Sequence, residues 1–166
     1  MNPNLRKNHA LEHATINVIE ERYGPQRLSG QAAEDGFYIY GAIAPTIVEA
    51  AARIGLGRLL AGEKDLVVHR RCGTTIAAAN FVSSAAFLVL LLATHHFTFF
   101  NVVIALLLAN LIGPLLGTVL QKYVTTSWDV RDRGITGIEQ SWERPAPLLL
   151  SWAAVPQRFF VRTRRV

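Results

Sequence analysis

Apolar and polar positions change their spacing along this 166-residue chain, and each change marks a new element. Between residues 4 and 23, Leu5, Ala10, Leu11, Ala14, Ile16, Val18 and Ile19 recur at intervals compatible with a 3.6-residue period. That pattern predicts an amphipathic helix. Asn2 or Asn4 can cap its start, and Gly24-Pro25 stops it. A polar loop through Gln31, Glu34 and Asp35 follows. Phe37-Tyr38-Ile39-Tyr40, enclosed by Gly36 and Gly41, then predicts a short strand. Pro45 suits the first position of a second helix, running to about Leu60 and ending at Gly62. Leu66-Val67-Val68-His69 predicts another strand. The order is α-β-α-β, with the second helix expected as a crossover between two strands. Two strands bury little, so this head is expected to complete its core against a membrane or a partner.

Beyond residue 71 the periodicity gives way to an unbroken apolar tract. From Cys72 to Gln121 there is no Asp, Glu, Lys or Arg, a run of 50 residues, and all the formal charge lies outside it. Thr75 to Thr94 and Phe97 to Leu120 are each long enough for ~30 Å of hydrocarbon. Only Thr94-His95-His96 separates them, so they are expected to form a transmembrane hairpin closed by a tight turn. Asn80, Asn101, Asn110, Ser83 and Ser84 are expected to face the neighbouring helix. Gly113-Pro114 is expected to kink the second span or thin its packing, with Gly117 one turn on. The predicted fold is an α+β membrane protein: a small α-β-α-β head over 1–72, a two-helix hairpin over 73–121, and a polar loop with a basic tail over 122–166.

The charge pattern orients that hairpin. Net charge is +5. The cations cluster beside the uncharged tract: Arg58, Lys64, Arg70 and Arg71 before it, Lys122, Arg131 and Arg133 after it. The turn carries neither Lys nor Arg, which puts both termini on the cytoplasmic side of the inner membrane and His95 and His96 outside. Attraction to anionic lipid heads accounts for these cations, and no nucleic acid partner is expected. Leu148-Leu149-Leu150, Trp152, Phe159 and Phe160, interspersed with Arg158, Arg162, Arg164 and Arg165, suggest a terminal segment lying in the bilayer interface. The single cysteine, Cys72, excludes an internal disulfide. The polar N-terminus shows no cleaved signal peptide pattern.

One motif carries chemistry. In His9-Ala-Leu-Glu-His13 the histidines are four apart and share a helix face, so both can reach one metal ion. Glu12 lies beside them, where it could take a proton from a metal-bound water. This H-x-x-E-H order resembles the signature of the inverted zinc peptidases, over five residues only. Glu49 and Glu63 are candidate third ligands, with Glu34 and Asp35 behind them. Alternatively His69 and Cys72, three residues apart, would complete a closed His3Cys site of structural type. His69 with Cys72 as a nucleophilic pair lacks any marked third group.

His9-Ala-Leu-Glu-His-Ala-Thr15, Leu28-Ser-Gly, Asp35-Gly-Phe37, Ala61-Gly-Glu-Lys-Asp-Leu66, His69-x-x-Cys-Gly-Thr74 and Gln121-Lys-Tyr-Val-Thr-Thr126 resemble an uncharacterised family of small bacterial membrane proteins with a domain of unknown function. The resemblance covers most of residues 5–135. It implies a membrane protein with a soluble head and no established activity. Where members often read Cys-Gly-Thr-Asn, this chain has Thr75. Two functions are therefore expected to compete: a membrane-tethered metal protein binding zinc, with Glu12 as base if it is a hydrolase, and a non-enzymatic subunit or assembly factor that completes itself against another membrane protein.

Overall fold

A computed structural model describes residues 2–141 and 158–166. Helix α1 spans Pro3–Tyr23, strands β1 and β2 Ser29–Ala32 and Gly36–Tyr40, and helix α2 Pro45–Leu60. A 3-10 turn follows at Lys64–Val67. Helices α3 (Gly73–Thr94) and α4 (Phe99–Leu120) come next, and a π turn over Gln121–Thr125 extends α4. Strands β3 (Arg133–Ser141) and β4 (Arg158–Arg165) end the chain. These elements divide into two units. One holds the residues up to Val68 together with those from Thr126 on; the other holds His69–Thr125.

In the first unit the cap and the stop of α1 fall where the sequence puts them. The Asn2 side chain accepts from the Asn4 N–H, and Gly24 takes a positive φ of 74° at the far end. Four antiparallel strands form one sheet in the order β1-β2-β4-β3. Phe37 and Ile39 of β2 stand in register with Val161 and Phe159 of β4, and all four are fully buried with Leu11 and Ala14 of α1 and Val48 and Ala52 of α2. The helices approach closely at Gly55, where a Cβ would come within 3.1 Å of Ala14. Asn8, wholly buried, ties three elements together. Its amide donates to the carbonyls of Ala33 and Glu34, and its oxygen accepts from Thr163.

Three expectations change here. The parallel crossover is absent, because β2 pairs antiparallel on both sides. Leu66–Val68 forms no strand: its carbonyls accept from α1 side chains in place of a ladder partner. The C-terminal cationic stretch is a strand within the head, not an interfacial tail. Phe159, Val161 and Thr163 alternate inward while Arg162 and Arg164 point out, which is the two-residue period of a half-buried strand. Leu148–Leu150 and Trp152, also assigned to that tail, lie outside the described residues.

Lys7 of α1 pairs with Asp132, just before β3, at 2.7 Å. The ammonium holds the Asp132 carboxyl below the usual carboxylate range. A depressed folded pKa contributes stability above the unfolded value of about 3.9 and loses it as pH falls. The thermal midpoint is therefore expected to be level near neutrality and to fall below about pH 4, less steeply in Asp132→Asn. Equal slopes for the two proteins would remove this pair from the account.

The second unit is a helical hairpin. Both helices are long and apolar enough to cross a membrane. Thr98 caps α4, and His95 closes α3 in the left-handed region, donating its N–H to Leu91. Asn101 completes the turn, giving its amide to Thr94 Oγ1 (3.1 Å) and His96 O (2.9 Å). Asn101, Ala105, Ala109, Gly113, Gly117 and Gln121 recur every fourth residue, and all six are buried. This small-residue seam lets the backbones meet. A Cβ on Gly113 would lie 2.7 Å from Ala79, and one on Gly117 2.8 Å from Thr75. Asn80 and Asn110 do not face the neighbouring helix as expected; both are exposed.

Candidate metal centre

Arg6, His9, His13 and Asn17, spaced three, four and four residues apart, line one face of α1. Each of three grips backbone. Arg6 donates twice to the Thr126 carbonyl, at 3.2 and 2.9 Å, and its own carbonyl accepts from the Ser127 N–H. His13 Nδ1 meets Val67 O at 2.5 Å. Asn17 donates to Leu66 O and Val68 O at 3.0 and 2.9 Å. The face that carries the histidines therefore also holds the segment leaving the head and the segment returning to it.

The contact with Val67 fixes the chemistry of His13. A carbonyl oxygen only accepts, so Nδ1 must carry the proton, and in the neutral ring Nε2 keeps the lone pair. A backbone carbonyl orienting the far nitrogen in this way is the usual support of a metal-binding histidine. The His13 ring is 1% exposed, and the half-buried His9 ring lies 4.3 Å away at 62°.

Cys72 caps α3, its sulfur accepting from the Thr74 N–H at 3.4 Å. A helix N-terminus favours the thiolate over the thiol. Cys72 follows Val68 by four residues, so peptide geometry alone keeps its Cα within ~14 Å of a residue bonded to α1. His9 and His13 of the first unit offer two imidazoles side by side, and Cys72 of the second offers a thiol. Two imidazoles and one thiolate suit zinc.

The carboxylates among the other expected ligands have partners of their own, and His69 enters the hydrogen bonding of the hairpin through its backbone. The His69 N–H donates to Gln121 Oε1, and the Gln121 amide donates to Thr75 Oγ1, so this buried glutamine joins the two ends of the hairpin. Glu49 pairs with Arg53 and Glu63 with Arg58, both at the surface; the Arg58 partner holds the Glu63 carboxyl below its ordinary value. Asn2 donates to Glu34, and Asp35 faces Arg162.

Glu12, 5% exposed, turns toward β1, where a Cβ on Gly30 would collide with its carboxylate. Gly30→Ala is expected to cost about 1–3 kcal/mol, with most of the loss recovered in Glu12→Ala/Gly30→Ala. A double variant no more stable than Gly30→Ala alone would show that the two do not conflict. Arg6, Asn17 and Gln121 escaped the sequence reading. The first two share the three-four-four spacing of the histidines, and Gln121 ends the four-residue repeat of α4.

Comparison with known proteins places these residues in one family. Residues 4–138 match the family model described as Domain of unknown function (DUF6391). An uncharacterized protein from Picosynechococcus is 33% identical over 138 residues, covering 74% of this chain and 66% of its own length. The match thus spans just under two thirds of that relative. No solved structure matches the chain. With most of its length covered, helix α1 and its two histidines included, the chain belongs to the DUF6391 family.

Proposed function

We propose that this chain is a membrane-anchored zinc-binding protein, with α3 and α4 spanning the inner membrane and the head on the cytoplasmic side. The observation that carries the metal reading is the hydrogen bond from His13 Nδ1 to Val67, which sets Nε2 as the donor atom beside His9. The proposed third donor is Cys72, four residues after Val68 and so within chain reach of that pair, and three protein ligands leave one coordination position open. The burial of His13 and Glu12 supports a binding role over hydrolysis, which needs a base open to substrate.

For the membrane reading, the support is the outward surface of the hairpin. Phe81, Val89, Leu92, Leu107, Leu111 and Leu115 are each largely exposed, a density of apolar surface that water does not tolerate on a monomer. The cations Arg70, Arg71 and Lys122 flank the spans, and the His95-His96 turn has none. Zinc analysis of the purified full-length protein tests the metal, and alkaline carbonate extraction of membranes tests the anchor. A metal-free protein from zinc-replete cells would end the first reading; release into the supernatant would end the second.

A further inference from the structure

The outward carboxamides of the hairpin, Asn80 on α3 and Asn110 on α4, are unexplained by anything above. Asn110 gives one N–H to Leu106 of its own helix, leaving its oxygen and second N–H. Asn80 makes no side-chain hydrogen bond among the described residues. Both are exposed, as is Ser84, one turn beyond Asn80.

Their positions are related. Gly113 packs on Ala79 and Gly117 on Thr75, which sets the register of the antiparallel pair. In that register Asn80 stands level with Ile112, two residues and about 3 Å from Asn110. Each asparagine also follows a seam residue by one position: Asn80 follows Ala79, and Asn110 follows Ala109. One residue turns a helix by about 100°. In antiparallel helices equal turns from a shared seam swing both side chains to the same side. The hairpin therefore carries two amides within about 3 Å of the same depth on one lateral face.

The geometry points to a second copy of this chain as the occupant of that face. This rests on the membrane reading, since hydrocarbon offers an amide no partner and water would satisfy it. A carboxamide is both donor and acceptor, so the patch complements itself. Two copies inserted in the same direction and related by a twofold axis along the bilayer normal present identical groups at identical depths. Across that axis Asn80 of one hairpin faces Asn110 of the other, and the vertical offset of about 3 Å is within reach of two carboxamide side chains. Ser84 supplies a further hydroxyl on the same side.

The test is photobleaching step counting on singly labelled full-length protein in dilute phosphatidylcholine–phosphatidylglycerol vesicles, after carbonate extraction has been scored on the same preparation. Wild type is expected to bleach mostly in two steps. Asn80→Leu/Asn110→Leu is expected to bleach mostly in one, its dimer dissociation constant weakened by about tenfold or more for a few lost amide bonds. Leucine is an ordinary lipid-facing residue, and unchanged far-ultraviolet dichroism would confirm an intact hairpin. A wild type that bleaches in one step overturns the pairing while the membrane reading stands, leaving a different membrane protein as the occupant. Two-step bleaching that survives both substitutions overturns the role of the asparagines. Release by carbonate removes the membrane reading and the pairing together.

Discussion

Full-length protein purified in mild detergent is expected to hold about one zinc ion per chain, and His13→Ala to bring that close to zero. The expectation follows from how few donors there are. The proposed site has three protein donors among the described residues, two imidazoles on consecutive turns of α1 and one thiolate, so losing any one leaves two. Cys72→Ser should fall nearly as far as His13→Ala. Asn17→Ala tests the supporting layer: it leaves every donor in place but frees the Leu66 and Val68 carbonyls next to the one that orients His13. A loss of 10–100-fold in affinity is the ordinary effect of such support, read by competition with a chromophoric chelator. Substitution with cobalt gives a second readout, because a thiolate-to-cobalt charge-transfer band should be present in wild type and missing in Cys72→Ser. Zinc bound equally by wild type and His13→Ala would place the ion elsewhere. Chelation should also lower the thermal midpoint. An ion present at a hundred times its dissociation constant contributes about 2.7 kcal/mol to the folded state.

The second large effect is expected in the hairpin seam. Gly113→Leu inserts four carbon atoms where even one would lie 2.7 Å from Ala79, and that neighbour is backbone and Cβ with no rotamer to yield. Overpacking of this kind costs about 1–3 kcal/mol at one position, and Gly113→Leu/Gly117→Leu should exceed either single change. The helices should separate at the Ala79–Gly113 level, read by spin-label distances between α3 and α4, and the hairpin should melt at lower denaturant. Ala105→Leu at the same seam is the comparison, expected to be milder than either glycine change because a Cβ is already accommodated there. Unchanged distances in the double variant would show that the seam is not the packing interface.

Local signals made most elements legible. Asn2, Gly24 and Pro45 put the ends of α1 and the start of α2 within a residue or so of their places, because caps and proline act on the nearest backbone groups. The uncharged tract gave both apolar helices for the same reason. Sheet pairing depends on distant partners, and there the reading failed. Arg158–Arg165 mixes aromatic and cationic residues, a composition equally suited to a lipid interface; only pairing with Phe37 and Ile39 shows it to be a strand. Val67 and Val68 have the β-branched character of a strand, yet their carbonyls are taken by His13 and Asn17 from another element. In the candidate site, the four-residue spacing of His9 and His13 predicts the shared face of α1 on which they stand. What spacing could not reveal was the carbonyl that selects the His13 tautomer, nor that Glu12 turns toward Gly30.

The strand order has a consequence for how the protein is made. The last strand synthesised, β4, lies between β2 and β3, so the sheet has no continuous centre until the ribosome has passed residue 165. Helices α3 and α4 emerge before that, while Phe37 and Ile39 still lack the partners that cover them. On the membrane reading proposed for it, the hairpin reaches the lipid while the globular part is still open. A nascent chain halted after residue 125 would hold two finished apolar helices and an unfinished domain, a state for chaperones and proteases to recognise.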